Sequence, residues 1–157
     1  MDERVRTILA ETFREVMEGL AFMFVDKVDK SDLPPEEEHS LCASIAFSGH
    51  ASGTMTIVAG STLCDRLSAD MLGIEPDDAE CRAKAPDALK ESLNTICGQF
   101  LTAIAGEDPV FSLTPPEISD IDLQQWEEIK EKGNPLFFRI GSSPVLLSAE
   151  YEETTCV

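Results

Sequence analysis

The chain is 157 residues long, enough for one domain with a sizeable core, and we expect a single domain over residues 1–157. Its 12 basic side chains stand against 30 acidic ones, which gives a formal net charge of −18. That balance argues against binding to nucleic acid and to anionic membranes, because both rely on cationic side chains. A basic partner surface would suit the chain, although its acidity can also serve solubility alone.

We expect a cytoplasmic protein without a secretory leader. Arg4 and Arg6 are followed by an amphipathic pattern, and the longest apolar run, residues 20–25, is too short to cross a bilayer. No Cys-x-x-Cys pair is present, and neither histidine stands at ligand spacing to a cysteine, so we predict neither a zinc site nor a disulfide framework. The five cysteines are Cys42, Cys64, Cys81, Cys97 and Cys156.

The chain opens with a predicted helix over residues 3–25, because apolar residues recur there every three or four positions. The final turn, residues 21–25, is apolar all the way round. This end is either buried in the domain or part of a subunit interface. The stripe consists of Val5, Leu9, Phe13, Val16, Leu20 and Met23.

A β-hairpin is predicted after a charged loop over residues 26–39. Residues 41–48 alternate with period two, and residues 54–59 are β-branched and apolar. The glycine-bracketed segment 49–53 joins the two strands. One face of the first strand should carry Leu41, Ala43, Ile45 and Phe47 into the core.

A short helix should begin with Ser61 as its N-cap and end at Gly73. Residues 75–85 are acidic and read as a connector. They lead to a second long helix over residues 86–106, where Pro86 would sit in the first turn and Gly106 would end the helix.

In the last third of the chain, the sequence pattern predicts a strand at residues 110–113, a turn at Pro115 and Pro116, and a short helix over residues 122–132. A closing hairpin follows, formed by residues 136–140 and 145–151. The elements together indicate an α+β domain in which long helices lie on an antiparallel or mixed sheet.

The helix over residues 86–106 is amphipathic. At about 100° per residue, its apolar side chains gather on one side, and the acid Glu91 and the amide Asn94 stand one turn apart on the other. The apolar set is Leu89, Leu93, Ile96, Phe100 and Ile104, and the polar face is Asp87, Glu91, Asn94 and Gly98.

The pattern Asp87-x-x-x-Glu91-x-x-Asn94, with Gly98 after it and the turn at Pro115 further on, resembles the signature of the CheC/CheX/FliY family. The CheX branch, with one such site, is the most similar. The resemblance implies the CheX-like order of elements, α-β-β-α-α-β-β-β. One departure lies inside the motif, since Lys90 stands where relatives often have a small residue.

Members of this family remove the phosphoryl group from an aspartate of CheY-like response regulators. The resemblance therefore implies that Asn94 positions the attacking water and that Glu91 pairs with a lysine of the regulator. Asp87, Gly98 and Pro115 would contact that partner. No cofactor is expected on this chain, because the Mg²⁺ is held by the regulator. The resemblance also implies a homodimer formed through the sheet, for which residues 136–140 offer an edge strand.

Three other interpretations stay open. On the residues alone, Glu91 and Asn94 are more simply a solvated helix face, since Glu-x-x-Asn is a weak motif. A second copy, Glu131 to Asn134, contains Gly133 and precedes a proline, which indicates a turn and not a helix. With Lys90 in the motif, a CheX-like fold that binds without catalysing is the main alternative. A small-molecule enzyme ranks third, because no phosphate loop, metal cluster or triad is present.

Overall fold

Seven antiparallel strands form one sheet in the computed structural model, which describes residues 1–154. The strands are β1 (Asp26–Val28), β2 (Ser40–Ser48), β3 (Ala51–Gly60), β4 (Ser112–Leu113), β5 (Glu117–Ile121), β6 (Leu136–Ile140) and β7 (Ser143–Glu153). The helices are α1 (Glu3–Ala21), α2 (Ser61–Leu72), α3 (Ala79–Ala105) and α4 (Leu123–Glu131), with a 3₁₀ turn at Lys30–Asp32. The strand order is β1-β6-β7-β3-β2-β4, and β5 also pairs with β2. The α+β class is confirmed, and β1 and β5 are additions to the predicted order.

The central hairpin follows the predicted alternation. Every second residue of β2 is buried, as expected for Leu41, Ala43, Ile45 and Phe47. β3 pairs with β2 on one side and β7 on the other. Gly53 of β3 permits the close approach of β7, because a Cβ there would stand 1.7 Å from the backbone oxygen of Glu150.

Helices cover the two faces of the sheet unequally. α1 and α3 pack on one face and bury the main core, in which the rings of Phe13 and Phe138 lie 4.5 Å apart. α4 lies on the other face, where Trp126 packs with Val58 and Leu146. In the closing hairpin, alternate residues of the two strands are buried, as a sheet with one face on the core requires: Phe138, Ile140, Leu147 and Ala149.

α1 ends four residues earlier than predicted. Its C-cap is Phe22, whose backbone is left-handed with φ of 54°, and this stops the helix at Ala21. The chain then continues extended, so Met23 and Val25 are buried while Phe22 and Phe24 face solvent. The prediction of a helix over residues 3–25 was therefore wrong in its last turn.

The predicted loop over residues 26–39 contains β1. This strand pairs with β6 over three residues, so residues 136–140 do not form the edge strand that was expected. β1 carries two exposed charged residues, and its polar sequence gives no strand alternation. Its formation depends on the pairing with β6.

The N-terminus of α2 is capped from a distance. Gly60, and not Ser61, is the N-cap, and it has no side chain to offer. The Glu37 carboxylate accepts from the Thr62 backbone N–H at 3.0 Å and from the Ser61 hydroxyl at 3.4 Å. The helix ends at Gly73, with φ of 70°, as predicted.

α3 begins at Ala79, seven residues before the predicted start, so residues 75–85 are not simply a connector. Asp78 is the N-cap, and its carboxylate accepts from the Glu80 backbone N–H at 2.9 Å. Pro86 lies inside the helix and not in its first turn. The early turns are nevertheless retained because Cys81 and Ala85 are buried. The predicted end at Gly106 is confirmed by its position as C-cap.

The last third of the chain is close to expectation. The predicted strand at 110–113 shortens to β4, and β5 was missed because it is mostly exposed and polar. α4 begins with a capping box between Asp122 and Gln125.

Cys64 and Cys97 are buried as small core residues, whereas Cys156 lies outside the described residues. Across residues 1–154, no helix combines the length and apolarity that a membrane span needs.

Candidate functional site

The polar face of α3 lies where the sequence predicted it. Asp87, Glu91 and Asn94 are exposed, and Gly98 is half-buried on the same side. Spacings of four, three and four residues keep them in one row along the helix. The opposite side is fully buried: Leu89, Leu93, Ile96 and Phe100. The core therefore fixes the direction in which Glu91 and Asn94 point.

The side chains of Glu91 and Asn94 are available to another molecule. Within residues 1–154, neither side chain forms a hydrogen bond or an ion pair. Only the backbone oxygen of Glu91 is used, by the Thr95 hydroxyl at 3.0 Å. A carboxylate can accept from a cation, and a carboxamide can accept and donate at once. The pair thus offers an anchor for a cation beside a group that can orient water.

Lys90, the departure inside the motif, turns away from Glu91. Its Nζ atom lies 3.5 Å from the Oδ1 atom of Asp87; the Asp87 side chain is 66% exposed and the Lys90 side chain 35%. An exposed pair at this separation contributes little to stability and is readily exchanged. Lys90 therefore leaves Glu91 free, and it competes with outside ligands only at Asp87.

Gly98 is not required by packing inside the chain. A Cβ at this position would meet nothing within 4 Å among the described residues. A glycine in a helix interior is destabilising relative to alanine. Because Gly98 has no side chain, nothing projects from the helix surface at this position, one turn after Asn94.

Pro115 lies on a separate element from α3. It is exposed in the segment between β4 and β5, which Thr114 fastens to the sheet through Ala46. Three hydrogen bonds join the two residues: the Thr114 N–H donates to the Ala46 oxygen at 2.9 Å, the Ala46 N–H donates to the Thr114 hydroxyl at 3.0 Å, and that hydroxyl donates to the Ala46 oxygen at 3.4 Å. The structure thus unites Asp87, Glu91 and Asn94 on one face, and a common role with Pro115 stays a prediction.

A cleft of about 350 Å³ adjoins this face and was not predicted from the sequence. Lys84, Asp87, Ala88 and Glu91 form its α3 wall, Ser68, Met71 and Leu72 its α2 wall, and Leu20 of α1 closes it. Only Lys84 of this wall lies in residues 75–85, which the sequence predicted as a connector, and the other three residues lie in the predicted helix. The N-cap Asp78 and the small residues spaced along the early turns of α3 were the signal for the longer helix.

The second Glu-x-x-Asn copy is a turn, as predicted. α4 ends at Glu131, and both Gly133 and Asn134 have left-handed backbones, with φ of 69° and 52°. Asn134 therefore does not stand on a helix face with Glu131. In the described part of the chain, no group of three or more His, Cys, Asp or Glu side chains is placed to hold a metal ion.

Comparison with solved structures shows the same fold in CheX proteins. CheX from Desulfovibrio desulfuricans is 15% identical, with a TM-score of 0.69 over 95% of this chain and 99% of that one. CheX from Vibrio vulnificus is 15% identical, with a TM-score of 0.68 over 94% and 96%. CheX in a complex with CheY, BeF₃ and Mg²⁺ from Borrelia burgdorferi is 16% identical, with a TM-score of 0.65 over 94% and 97%.

The sequence was compared with curated proteins and with protein-family models. No curated protein matches it. The family model described as chemotaxis phosphatase CheX matches residues 41–135, which is more than half of the chain and includes the whole polar face of α3. The chain therefore belongs to the CheX family of chemotaxis phosphatases.

Proposed function

We propose that this protein hydrolyses the phospho-aspartate of a CheY-like response regulator. The observation that carries the proposal is the exposed pair on α3, Glu91 and Asn94, whose side chains have no partner within residues 1–154. Family membership supports it, and so does the Borrelia burgdorferi structure, in which a CheX of this fold is in complex with CheY. A regulator in the cytoplasm is the natural substrate.

Asn94 is the group that positions water in this mechanism. Phosphoryl transfer demands little covalent chemistry of the protein, and it depends on a nucleophile held in line with the leaving oxygen. The Asn94 carbonyl would accept a hydrogen bond from the attacking water while its NH₂ donates to the partner's pocket. Because Asn94 is uncharged and stands on a rigid helix, it can enter an anionic pocket without adding repulsion.

Glu91 sets the register of the complex. One turn before Asn94, its carboxylate would pair with the lysine that stands beside the phospho-aspartate of the regulator. Charge-assisted hydrogen bonds of this kind are stronger than neutral ones and fix orientation. Gly98 would let the regulator approach closely, and Asp87 would contact it once released from Lys90. The regulator supplies the Mg²⁺, which neutralises charge on the transferring group.

The alternative is a CheX-like module that binds a regulator without catalysis. Lys90 leaves it open, because this departure from the family motif pairs with Asp87, a residue of the face that would contact the regulator. We also propose a homodimer through the sheet. Sedimentation at micromolar concentration tests the dimer, and a monomer at all concentrations contradicts it.

Two substitutions separate binding from turnover. Asn94→Ala should abolish the stimulated decay of a phosphorylated regulator while leaving its affinity within a few-fold. Glu91→Ala should lower the affinity and the rate together. If wild-type protein binds the phosphorylated regulator and its decay rate is unchanged, the non-catalytic module is the correct function.

A further inference from the structure

Lys90 stands beside Asn94 on the helix that carries the proposed site. The two residues are four positions apart on α3, so their Cβ atoms are about 5–6 Å apart. At about 100° per residue, Asn94 lies between Lys90 and Glu91 around the helix, roughly 40° from the lysine and roughly 60° from the glutamate. Helical side chains lean towards the N-terminal end, so the Asn94 amide leans over the turn that contains both residues. A carboxylate and an ammonium group therefore flank this amide.

A weak surface ion pair holds the Lys90 ammonium group. Its Nζ atom lies 3.5 Å from the Oδ1 atom of Asp87, and within residues 1–154 it forms no other ion pair. The Asp87 side chain is 66% exposed, so water and ions screen the pair, which contributes little and exchanges readily. Lysine carries its charge on a flexible four-carbon stem. The ammonium group can therefore leave Asp87 for an anion held over Asn94 at a small cost.

The charges of α3 make Lys90 the cation nearest to such an anion. The helix has three basic and three acidic side chains, so it is neutral in a chain whose net charge is −18. From Asp87 to Ala105, Lys90 is the one basic residue. Asp87 and Glu91 on the same face repel an approaching anion at short range, and a cation among them offsets part of that repulsion.

We propose that the Lys90 ammonium group binds a phosphoryl oxygen of the regulator's phospho-aspartate. The inference rests on the proposed function, and it adds one catalytic residue to the proposed site. In that mechanism, Glu91 pairs with the regulator's lysine, which is then shared between this carboxylate and the phosphoryl group. Lys90 restores positive charge to the phosphoryl oxygens, and its departure releases Asp87. Related chemistry in GTPases places a cationic side chain on the transferring group near the amide that orients water.

Lys90 keeps its proton throughout the step. The oxygen of the water held by Asn94 forms a bond to phosphorus, and the bond from phosphorus to the aspartate oxygen breaks. The bonding electron pair leaves with the aspartate carboxylate, and both water protons stay on the released phosphate as H₂PO₄⁻. The phosphoryl oxygens are negative before and during the transfer. Loss of Lys90 should therefore weaken the binding of an activated regulator and also slow its hydrolysis.

The test removes the charge of Lys90 and keeps its length. Lys90→Met has an unbranched stem without the ammonium group, and Lys90→Arg retains a cation. Lys84→Met is the matched control, because Lys84 is exposed on the same helix, two turns before Glu91. The probe is a CheY-type receiver domain of the same organism with Mg²⁺, with and without BeF₃⁻, and calorimetry measures its affinity. The phosphorylated domain gives kcat and KM.

We expect Lys90→Met to bind the BeF₃⁻-activated domain about tenfold or more weakly, because a hydrogen bond between charged groups is lost. Its affinity for the domain without BeF₃⁻ should stay within about threefold. The kcat should fall about tenfold, and Lys90→Arg should recover most of it. Lys84→Met should stay within about twofold of wild type in every measurement.

Four results overturn the contact between Lys90 and the phosphoryl group. They are wild-type values in Lys90→Met, equal losses of affinity with and without BeF₃⁻, an equal loss in Lys84→Met, and recovery in Asp87→Asn/Lys90→Met. The last result would assign the loss to the Asp87 carboxylate freed from its pair. A wild-type protein that binds the activated domain without speeding its decay refutes the proposed function instead, and the BeF₃⁻ comparison then decides the Lys90 contact by itself.

Discussion

Replacing Gly98 with alanine should make the protein more stable and a weaker binder of its regulator. The new Cβ meets nothing within 4 Å, so the change acts only through helix propensity. In the interior of an exposed helix, alanine is favoured over glycine by about 1 kcal/mol. For a chain of this length that corresponds to a rise in Tm of about 2–4 °C. Urea unfolding should show the gain as a higher midpoint with an unchanged slope.

Gly19 provides the matched control, since it lies in α1 and a Cβ there also meets nothing within 4 Å. Gly19→Ala should raise stability too, but by less, because it stands in the last turn of its helix. Only Gly98→Ala should also raise the KM for the phosphorylated regulator. A fall in stability for Gly98→Ala would refute the reasoning, because it would mean that another surface already covers this part of α3.

Substitutions at three further positions test the fold. Glu37→Ala should lower the free energy of unfolding by about 1 kcal/mol, because α2 loses its cap; Glu37→Gln should lose less, and equal losses would contradict the capping role. Gly53→Ala should lower the free energy of unfolding by about 3 kcal/mol or more, because the new Cβ meets the backbone of Glu150, which cannot move aside. Urea unfolding measures this loss, and an unchanged free energy of unfolding would refute the close approach of β7. Burial raises the pKa of the Glu36 carboxyl, but the hydrogen bond from Lys130, its positive charge and the other hydrogen bonds to the carboxylate together outweigh burial and hold the pKa below its ordinary 4.5. The stability from this pair is therefore present above pH 4.5 and lost as pH falls through the lowered pKa. Lys130→Met should lower the free energy of unfolding by about 2 kcal/mol at pH 7, and the difference from wild type should shrink below pH 4.5. A difference that stays constant with pH would contradict this.

Local patterns correctly predicted the elements that have a clear hydrophobic period and recognisable capping or turn residues at their ends. The alternation in β2, the closing hairpin and the start of α4 at Asp122 belong to this group. β1 and β5 were missed because each is short, mostly polar and stabilised by pairing with a distant strand. No local pattern specifies such strands, since their hydrogen bonds come from residues far along the chain.

One part of the candidate site could be predicted from the sequence, and another part could not. The exposure of Glu91 and Asn94 followed from the apolar stripe on the other side of α3, so periodicity alone predicted it. The cleft did not follow, because it depends on how α2 and the end of α1 pack against α3, and no local pattern specifies that packing. The exposure of Phe22 was hidden for another reason, since an apolar run does not reveal a left-handed cap.

The most direct test of the account is the decay of a phosphorylated receiver domain with Asn94→Ala compared with Asn134→Gly. Asn134 belongs to the second Glu-x-x-Asn copy, and glycine preserves its left-handed backbone. The account predicts that Asn94→Ala slows stimulated decay on the order of 10²-fold or more, as removal of one positioned polar group does elsewhere, while Asn134→Gly decays at the wild-type rate. Equal rates for wild type and Asn94→Ala would contradict the central claim.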